Sequence, residues 1–265
     1  MTISAVYETH MGDDLMVANA ARVSFGKRSQ YIKEDCGHSD CGPECAGFIN
    51  KLSKTDKDLI QFLARGCMSG EWNANISILA SDDIECGEAE RILKWAKNMP
   101  THWTPFSHPQ ITIVEKVPIF IARQRFKHMI GFTYNEVSRR YVDDEPEFYA
   151  PSEWRSRPEG SVKQGSGGVH KDSRDYCVGY ERYIDQATHD YNKMIADGVA
   201  PEQARMVLPQ SMLTEYWVTG SLYAWANAYI QRSDSHAQLE IQELAKQWDK
   251  IIRPLFPESW SALVD

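Results

Sequence analysis

The chain has 265 residues, 42% of them hydrophobic and 11% aromatic, with a formal net charge of −8. That length and composition can bury a sizeable core and exclude an intrinsically disordered chain. The acidic balance excludes broad binding to nucleic-acid polymers, which needs an excess of Lys and Arg, but leaves room for a local basic pocket around one small anion. No apolar run approaches the roughly 18 residues that span a bilayer, and the opening MTISAVYETHMGDD lacks the pattern of a secretory signal, so the expectation is a cytoplasmic protein. Cys36, Cys41, Cys45, Cys67, Cys86 and Cys177 then read as reduced thiols.

In chain order, DDLMVANAARVSFG spaces Leu15, Val17, Ala18 and Ala21 as a helix over about 13–23 that stops before Gly26, with Ser24 just past its end. SKTDKDLIQFLARG predicts a second helix, capped by Ser53 or Thr55, favoured by Asp56 and Asp58 at its positive end and stopped by Gly66. Shorter helices are expected near 70–80 and 87–97, and a loop at MPTHWTPFSH. Ile111, Ile113 and Val114 predict a strand that Pro118 limits, after which Ile119, Ile121, Ala122, Arg125 and Phe126 space as a helix. A short extended piece follows Gly131, then a turn at Tyr134 to Ser138 and a strand or loop through YVDDEPEFYAP. Residues 155–173 have no apolar period and read as a mobile surface loop. Tyr176, Tyr180, Tyr183, Ala187, Tyr191 and Met194 form a helical stripe ended by Gly198, and APEQARMVLP opens another helix that Pro209 ends or kinks. TEYWVTGSLYAWANAYIQR and SDSHAQLEIQELAKQWDKII read as two long helices, the second capped by Ser233 or Asp234.

The strongest local signal is RQRFKHMIGFTYNEVSRRY, residues 123–141, where Arg123, Arg125, Lys127, His128, Arg139 and Arg140 surround one carboxylate, Glu136. With Arg123 and Lys127 on one helix face and Arg139 and Arg140 returning after a turn, the segment suits a phosphate, to which Arg offers a bidentate fork and Lys a point charge. It equally suits a solvated face paired with Asp143, Asp144 and Glu145. Arg205 and Arg232 stand among apolar neighbours, and each needs a partner or a ligand if buried. His102, His108, His128 and His236 show no metal-binding spacing and read as structural. Cys36, His38, Cys41 and Cys45 have spacings looser than CxxC and read as loop thiols, with a zinc site as the alternative. Neither GxGxxG nor GxxxxGK[ST] occurs, and Ser24 and Ser138 lie in no GxSxG elbow.

Lys127-His128-Met129, eight residues, then Ser138 resembles the Arg-His-Arg…Ser signature of the flavin-dependent thymidylate synthases. PIFIARQ before it, YNEVSRRY after it, and NAARVSF, THWTPFSH, ARMVLP and RSDSHAQLEIQ elsewhere resemble blocks of that family in the same order, from near residue 10 to about 245. The resemblance implies a mixed α/β fold with helices packed on a mostly antiparallel sheet. It implies one domain over 1–265 with insertions near 27–50, 69–98 and 155–173, and a homotetramer whose active sites are shared between subunits. It implies reductive methylation of dUMP to dTMP with FAD as cofactor and with NADPH and methylenetetrahydrofolate as co-substrates. Gln124, Lys127, Glu136, Val137, Ser138, Arg139, Arg140, Arg205 and Arg232 match the family's nucleotide-contacting positions. Ser24, His102, Thr104, Lys127, His128, Met129, Asn135, Glu136 and Asn227 match its FAD-contacting positions. Arg139 and Arg140 suit the phosphate, Arg232 suits negative charge developing on the uracil, and Ser138 is assigned to substrate binding because the family uses no enzyme nucleophile. Lys127 and Met129 replace the two signature arginines, and Ser221 and Tyr223 fall where some members carry Asn and Arg. The alternatives are a nucleotide-binding homologue without turnover, or an enzyme that modifies a related pyrimidine nucleotide.

Overall fold

A computed structural model describes residues 2–37, 47–67, 69–97, 99, 101–142, 144–160 and 165–265. His38, Cys41 and Cys45 of the possible zinc group lie outside them. The described chain divides into two compact units.

The first unit comprises residues 1–9, 111–220 and 227–251. Its centre is a four-stranded sheet in the order β1-β4-β6-β5. These strands are β1 (Ser4–Met11), β4 (Gln110–Pro118), β5 (Phe132–Glu136) and β6 (Leu213–Ser221), while β2 (Ile32–Asp35) and β3 (Phe48–Lys51) form a separate antiparallel hairpin. In β4, Ile111, Thr112 and Ile113 are buried in succession, the mark of a strand covered on both faces. β5 pairs antiparallel with β6 from Phe132 opposite Gly220 to Glu136 opposite Tyr216. Gly220 is required there, because a Cβ would collide with the Phe132 ring. Helices α5 (Ile119–Arg125), α6 (Ser173–Ala196), α7 (Pro201–Ala204) and α9 (Leu239–Ile252) complete the unit with the latter part of α8 (Leu222–Ser233). α9 buries Ile241, Leu244, Ala245 and Trp248 along one stripe.

The second unit comprises residues 10–110, 221–226 and 252–265. It holds α1 (Asp14–Arg22), α2 (Lys54–Arg65), α3 (Ser69–Leu79), α4 (Cys86–Lys97) and α10 (Pro257–Val264), with the hairpin. Two buried carboxylates order it. Asp14 accepts the backbone N–H groups of Glu258 and Ser259, each at 2.9 Å, and so caps α10 from outside that helix. Asp56 accepts from Ser53 Oγ at 2.6 Å, Ser29 Oγ at 2.7 Å and Arg22 Nε at 2.7 Å.

Several sequence expectations change. TEYWVTGS is strand β6, not the start of a helix, because its β-branched and aromatic residues are paired on both sides by β4 and β5. The turn expected at Tyr134 to Ser138 begins only at Ser138, whose carbonyl accepts from Tyr141 and Val142, since pairing with β6 extends β5 to Glu136. α9 starts at Leu239 with Gln238 as its cap, while Asp234 instead accepts the His236 N–H at 2.8 Å. The ends of the segment read as a mobile loop are paired, Arg155 with Val169 in a β-bridge and Ser156 N–H with the Gly168 carbonyl at 2.8 Å. No helix of the described residues is long and apolar enough to cross a membrane.

Candidate active site

The basic segment does not act as one surface. Helix α5 ends at Arg125, and Lys127 follows in a turn closed by its N–H on the Gln124 carbonyl, so Arg123 and Lys127 do not share a helix face. Arg125 turns inward and is fully buried with Glu115, at 3.3 Å. Tyr216 donates to the other oxygen of Glu115 at 2.5 Å. Arg125 Nη1 lies 2.6 Å from the Tyr134 hydroxyl, and the guanidinium lies over the rings of Phe132 at 4.3 Å and Trp248 at 4.8 Å. An isolated buried charge would cost several kcal/mol, and this pair with its aromatic cage compensates it. The sequence counts Arg125 in the basic segment but spaces it with Ile119, Ile121, Ala122 and Phe126 along the helix, and it is to that inward side that it turns.

Next to this core lies His128. The Tyr134 hydroxyl donates to the His128 carbonyl at 2.6 Å, and Arg232 Nε donates to His128 Nε2 at 2.8 Å. Arg232 Nη2 also reaches the Gln124 carbonyl at 3.3 Å, and no carboxylate among the described residues pairs with Arg232. Burial, then the charges of Arg232 and Arg125, push the His128 imidazole down to about 4. It is therefore neutral near pH 7, with its proton on Nδ1, because Nε2 is accepting. Gln124 Nε2 donates to Gln238 Oε1 at 2.6 Å. Gln124 and Arg232 line one cavity of about 580 Å3 with Asp234, His236 and Gln238.

A second cavity, of about 680 Å3, is lined by Glu136, Val137, Ser138, Arg139 and Arg205 together with Lys116, Glu147 and Thr214. Thr214 Oγ1 donates to Glu136 Oε1 at 2.7 Å, and the Val137 N–H donates to the Glu215 carbonyl at 2.9 Å, so β6 holds this wall. Arg139 donates to the backbone carbonyl of Asp144. Arg205 is exposed, not buried as its apolar sequence neighbours suggested, and its Nε bonds the Glu202 carbonyl at 3.2 Å. Ser138 Oγ meets the Arg140 N–H at 3.4 Å and is bonded to no histidine or carboxylate among the described residues. Lys127 and Arg140 line neither cavity; the Arg140 guanidinium stands over the Tyr141 ring at 4.9 Å.

A family model described as thymidylate synthase complementing protein matches residues 6–258. A flavin-dependent thymidylate synthase of Thermosipho africanus is 35% identical over 258 residues, 96% of this chain and 87% of that protein. This chain belongs to the flavin-dependent thymidylate synthase family. An enzyme of the same name from Thermus thermophilus is 27% identical over 95% of this chain and 72% of its own length. The fold is also that of the UMP/dUMP methylase PolB from Streptomyces cacaoi bound with 5-Br dUMP, with a TM-score of 0.67 at 23% identity over 98% of this chain and 94% of that one.

The positions expected from the sequence to contact a flavin fall on both units. In the first, Lys127, Met129, Asn135, Glu136 and Asn227 are exposed, Met129 to 74%, and His128 is half-buried. In the second, Ser24 lies in a 3-10 turn over Val23–Phe25 and Thr104 opens another over Thr104–Ser107. His102 is fixed by its N–H on the Leu63 carbonyl at 2.9 Å and by stacking on Phe62 at 5.7 Å. Beside it in sequence, Trp103 stacks on Tyr223 with ring centroids 5.5 Å apart and 28° between planes, and Trp103 stays 48% exposed. Glu115, Tyr216 and Trp103 were not singled out from the sequence, Tyr134 was read only as the start of a turn, and Tyr223 only as a departure from the family pattern. Glu115 alone gave a signal, as the one acid in strand β4. Among the described residues no group of His, Cys, Asp and Glu could hold a metal ion.

Proposed function

We propose that this chain catalyses the reductive methylation of dUMP to dTMP, with FAD as cofactor, methylenetetrahydrofolate as carbon donor and NADPH as reductant. The observation that carries the reading is the convergence of Glu136, Val137, Ser138, Arg139 and Arg205 on one cavity. These residues come from β5, the turn after it and the 3-10 turn over Arg205–Val207, far apart in sequence. Arg139 and Arg205 would hold the phosphate, Ser138 and the adjacent backbone would orient the nucleotide, and Glu136 would be aimed by Thr214. Arg232 would stabilise the negative charge that develops on the pyrimidine as the ring is attacked. Among the described residues no base is bonded to Ser138, which fits a binding role better than nucleophilic attack.

In the first unit the exposed amides of Asn135 and Asn227, the Lys127 charge and the His128 ring are the donors and flat partner that a flavin dinucleotide needs, and in the second unit the hydroxyls of Ser24 and Thr104 and the His102 ring are of the same kind. When bound, FAD would supply the hydride that completes the methyl group. Gln124 and Arg232 line a different cavity from the Glu136–Arg139 set, an arrangement consistent with a homotetramer in which one subunit's Arg232 faces a nucleotide held by another's Arg139 and Arg205.

The purified protein, loaded with FAD and stripped of excess, is expected to keep a visible flavin band that bleaches with NADPH without oxygen. Addition of methylenetetrahydrofolate and dUMP should then give dTMP, with UMP run alongside to identify the nucleotide. The replacement of the signature arginines by Lys127 and Met129 supports one second reading, a nucleotide-binding homologue without turnover. Retained dUMP binding with no retained flavin would favour it.

A further inference from the structure

Tyr134 connects the buried charge pair to the residue assigned to the reacting ring. Its hydroxyl has one proton and two neighbours that can accept it, the His128 carbonyl at 2.6 Å and the Arg125 carbonyl at 3.3 Å. Arg125 Nη1, 2.6 Å away, can only donate. The proton therefore goes to His128. Arg125 cannot swing, because Glu115 holds its Nε and is itself held by Tyr216, with all three side chains inside the core. Edge contacts with Phe126, at 5.0 Å and 69°, fix the Tyr134 ring as well. The phenol is pushed up to about 12, by burial above all and with Glu115 adding to it against Arg125, so the donor stays protonated.

The far end of the chain is equally constrained. With its carbonyl tied to Tyr134 and its Nε2 accepting from Arg232, His128 sets both the place and the rotation of the Arg232 guanidinium. Among the described residues two of that group's five N–H bonds are used, on His128 and on the Gln124 carbonyl, and three remain. A structural device alone would gain little from placing the Arg125 charge near the Arg232 charge, a juxtaposition that opposes both.

We propose that Tyr134, locked by the buried Glu115–Arg125 pair, is a positioning residue that acts through His128 to aim the three remaining N–H bonds of Arg232 at the pyrimidine. The proposal rests on the assignment of Arg232 to the substrate ring. A guanidinium displaced by even an ångström loses much of its effect on a transition state, so removing one hydroxyl should be visible in turnover.

The test is Tyr134→Phe, which keeps the ring and deletes the hydroxyl, compared with Arg232→Ala in the FAD-loaded protein. Tyr134→Phe is expected to lower kcat by about tenfold while the dissociation constant for dUMP, measured by calorimetry, moves by less than about threefold. A fall in thermal stability with kcat unchanged would mean that the hydroxyl is structural only, and the proposal would be overturned. Turnover by Arg232→Ala equal to that of the unaltered protein would remove the assignment of Arg232 itself. A dead Arg232→Ala beside a fully active Tyr134→Phe would remove only the role of Tyr134. A measurement without any variant stands beside these: 15N-labelled histidine in the intact protein should show His128 protonated on Nδ1. A proton on Nε2 would break the chain between Tyr134 and Arg232 and overturn the proposal.

Discussion

His128 is the residue at which charge, burial and function meet. Its imidazole is pushed down from 6.5 to about 4 by burial and by the charges of Arg232 and Arg125. The unfolded chain therefore binds a proton that the folded chain refuses throughout the window between pH 6.5 and 4, and folding stability must fall as pH drops through it. His128→Asn is expected to flatten that slope, read from urea unfolding at several pH values; an unchanged slope would mean the ring is protonated in the folded protein. His128→Ala should also lower the flavin retained after purification, as a spectrum would report. Arg205 tests a different part of the site. Its exposed guanidinium makes no ion pair among the described residues, so Arg205→Ala should leave stability nearly unchanged. Loss of one charge-assisted phosphate contact, roughly 1.5 to 3 kcal/mol, corresponds to a rise in the nucleotide dissociation constant of about ten- to a hundredfold. Arg205 stands among hydrophobic residues and Arg125 inside a basic segment, yet the first is open to solvent and the second sealed. The acid that decides the matter for Arg125 is ten positions away in a neighbouring strand.

At the scale of elements, local chemistry made some boundaries legible. Ser53, one of the two expected caps, caps α2 through Asp56 N–H, and Gly66 closes it at φ 72°, as expected of a stop residue. Where long-range pairing decides, the sequence was ambiguous: TEYWVTGS has a composition suited to a strand and a continuation suited to a helix, and only β4 and β5 on either side resolve it. The short helix α10 does carry local start signals, Pro257 and Glu258 in its first turn, but its capping carboxylate, Asp14, comes from the far end of the chain. Asp56 does more than its place in the first turn of α2 suggested. Burial works to raise its carboxyl, and bonds from Ser53, Ser29 and Arg22 outweigh that and hold it below the usual carboxylate range. Stability from this cluster is present above the unfolded-state value and is lost as pH falls through the lower folded value. Asp56→Ala leaves Arg22 without its carboxylate and is expected to cost about 3 kcal/mol in chemical unfolding, whereas a cost under about 1 kcal/mol would show that the cluster is solvated.

For the whole molecule, the family was legible from the order of short blocks, while the distribution of the candidate site residues between two cavities was not, because spacing along a chain carries no information about which face a side chain reaches. That distribution makes the assembly testable. If one subunit's Arg205 and another's Arg232 serve the same nucleotide, Arg205→Ala and Arg232→Ala damage different halves of each site. Either variant alone contains only damaged sites. In an equal mixture allowed to dissociate and reassemble at random, roughly a quarter of the sites would draw both halves intact, one from each parent, and activity should return toward that fraction. The assay must run well below the KM of the Arg205 variant, so that its residual turnover does not mask the gain. A site completed within one subunit gives the opposite result, since every chain in the mixture still carries one lesion and reassembly restores nothing.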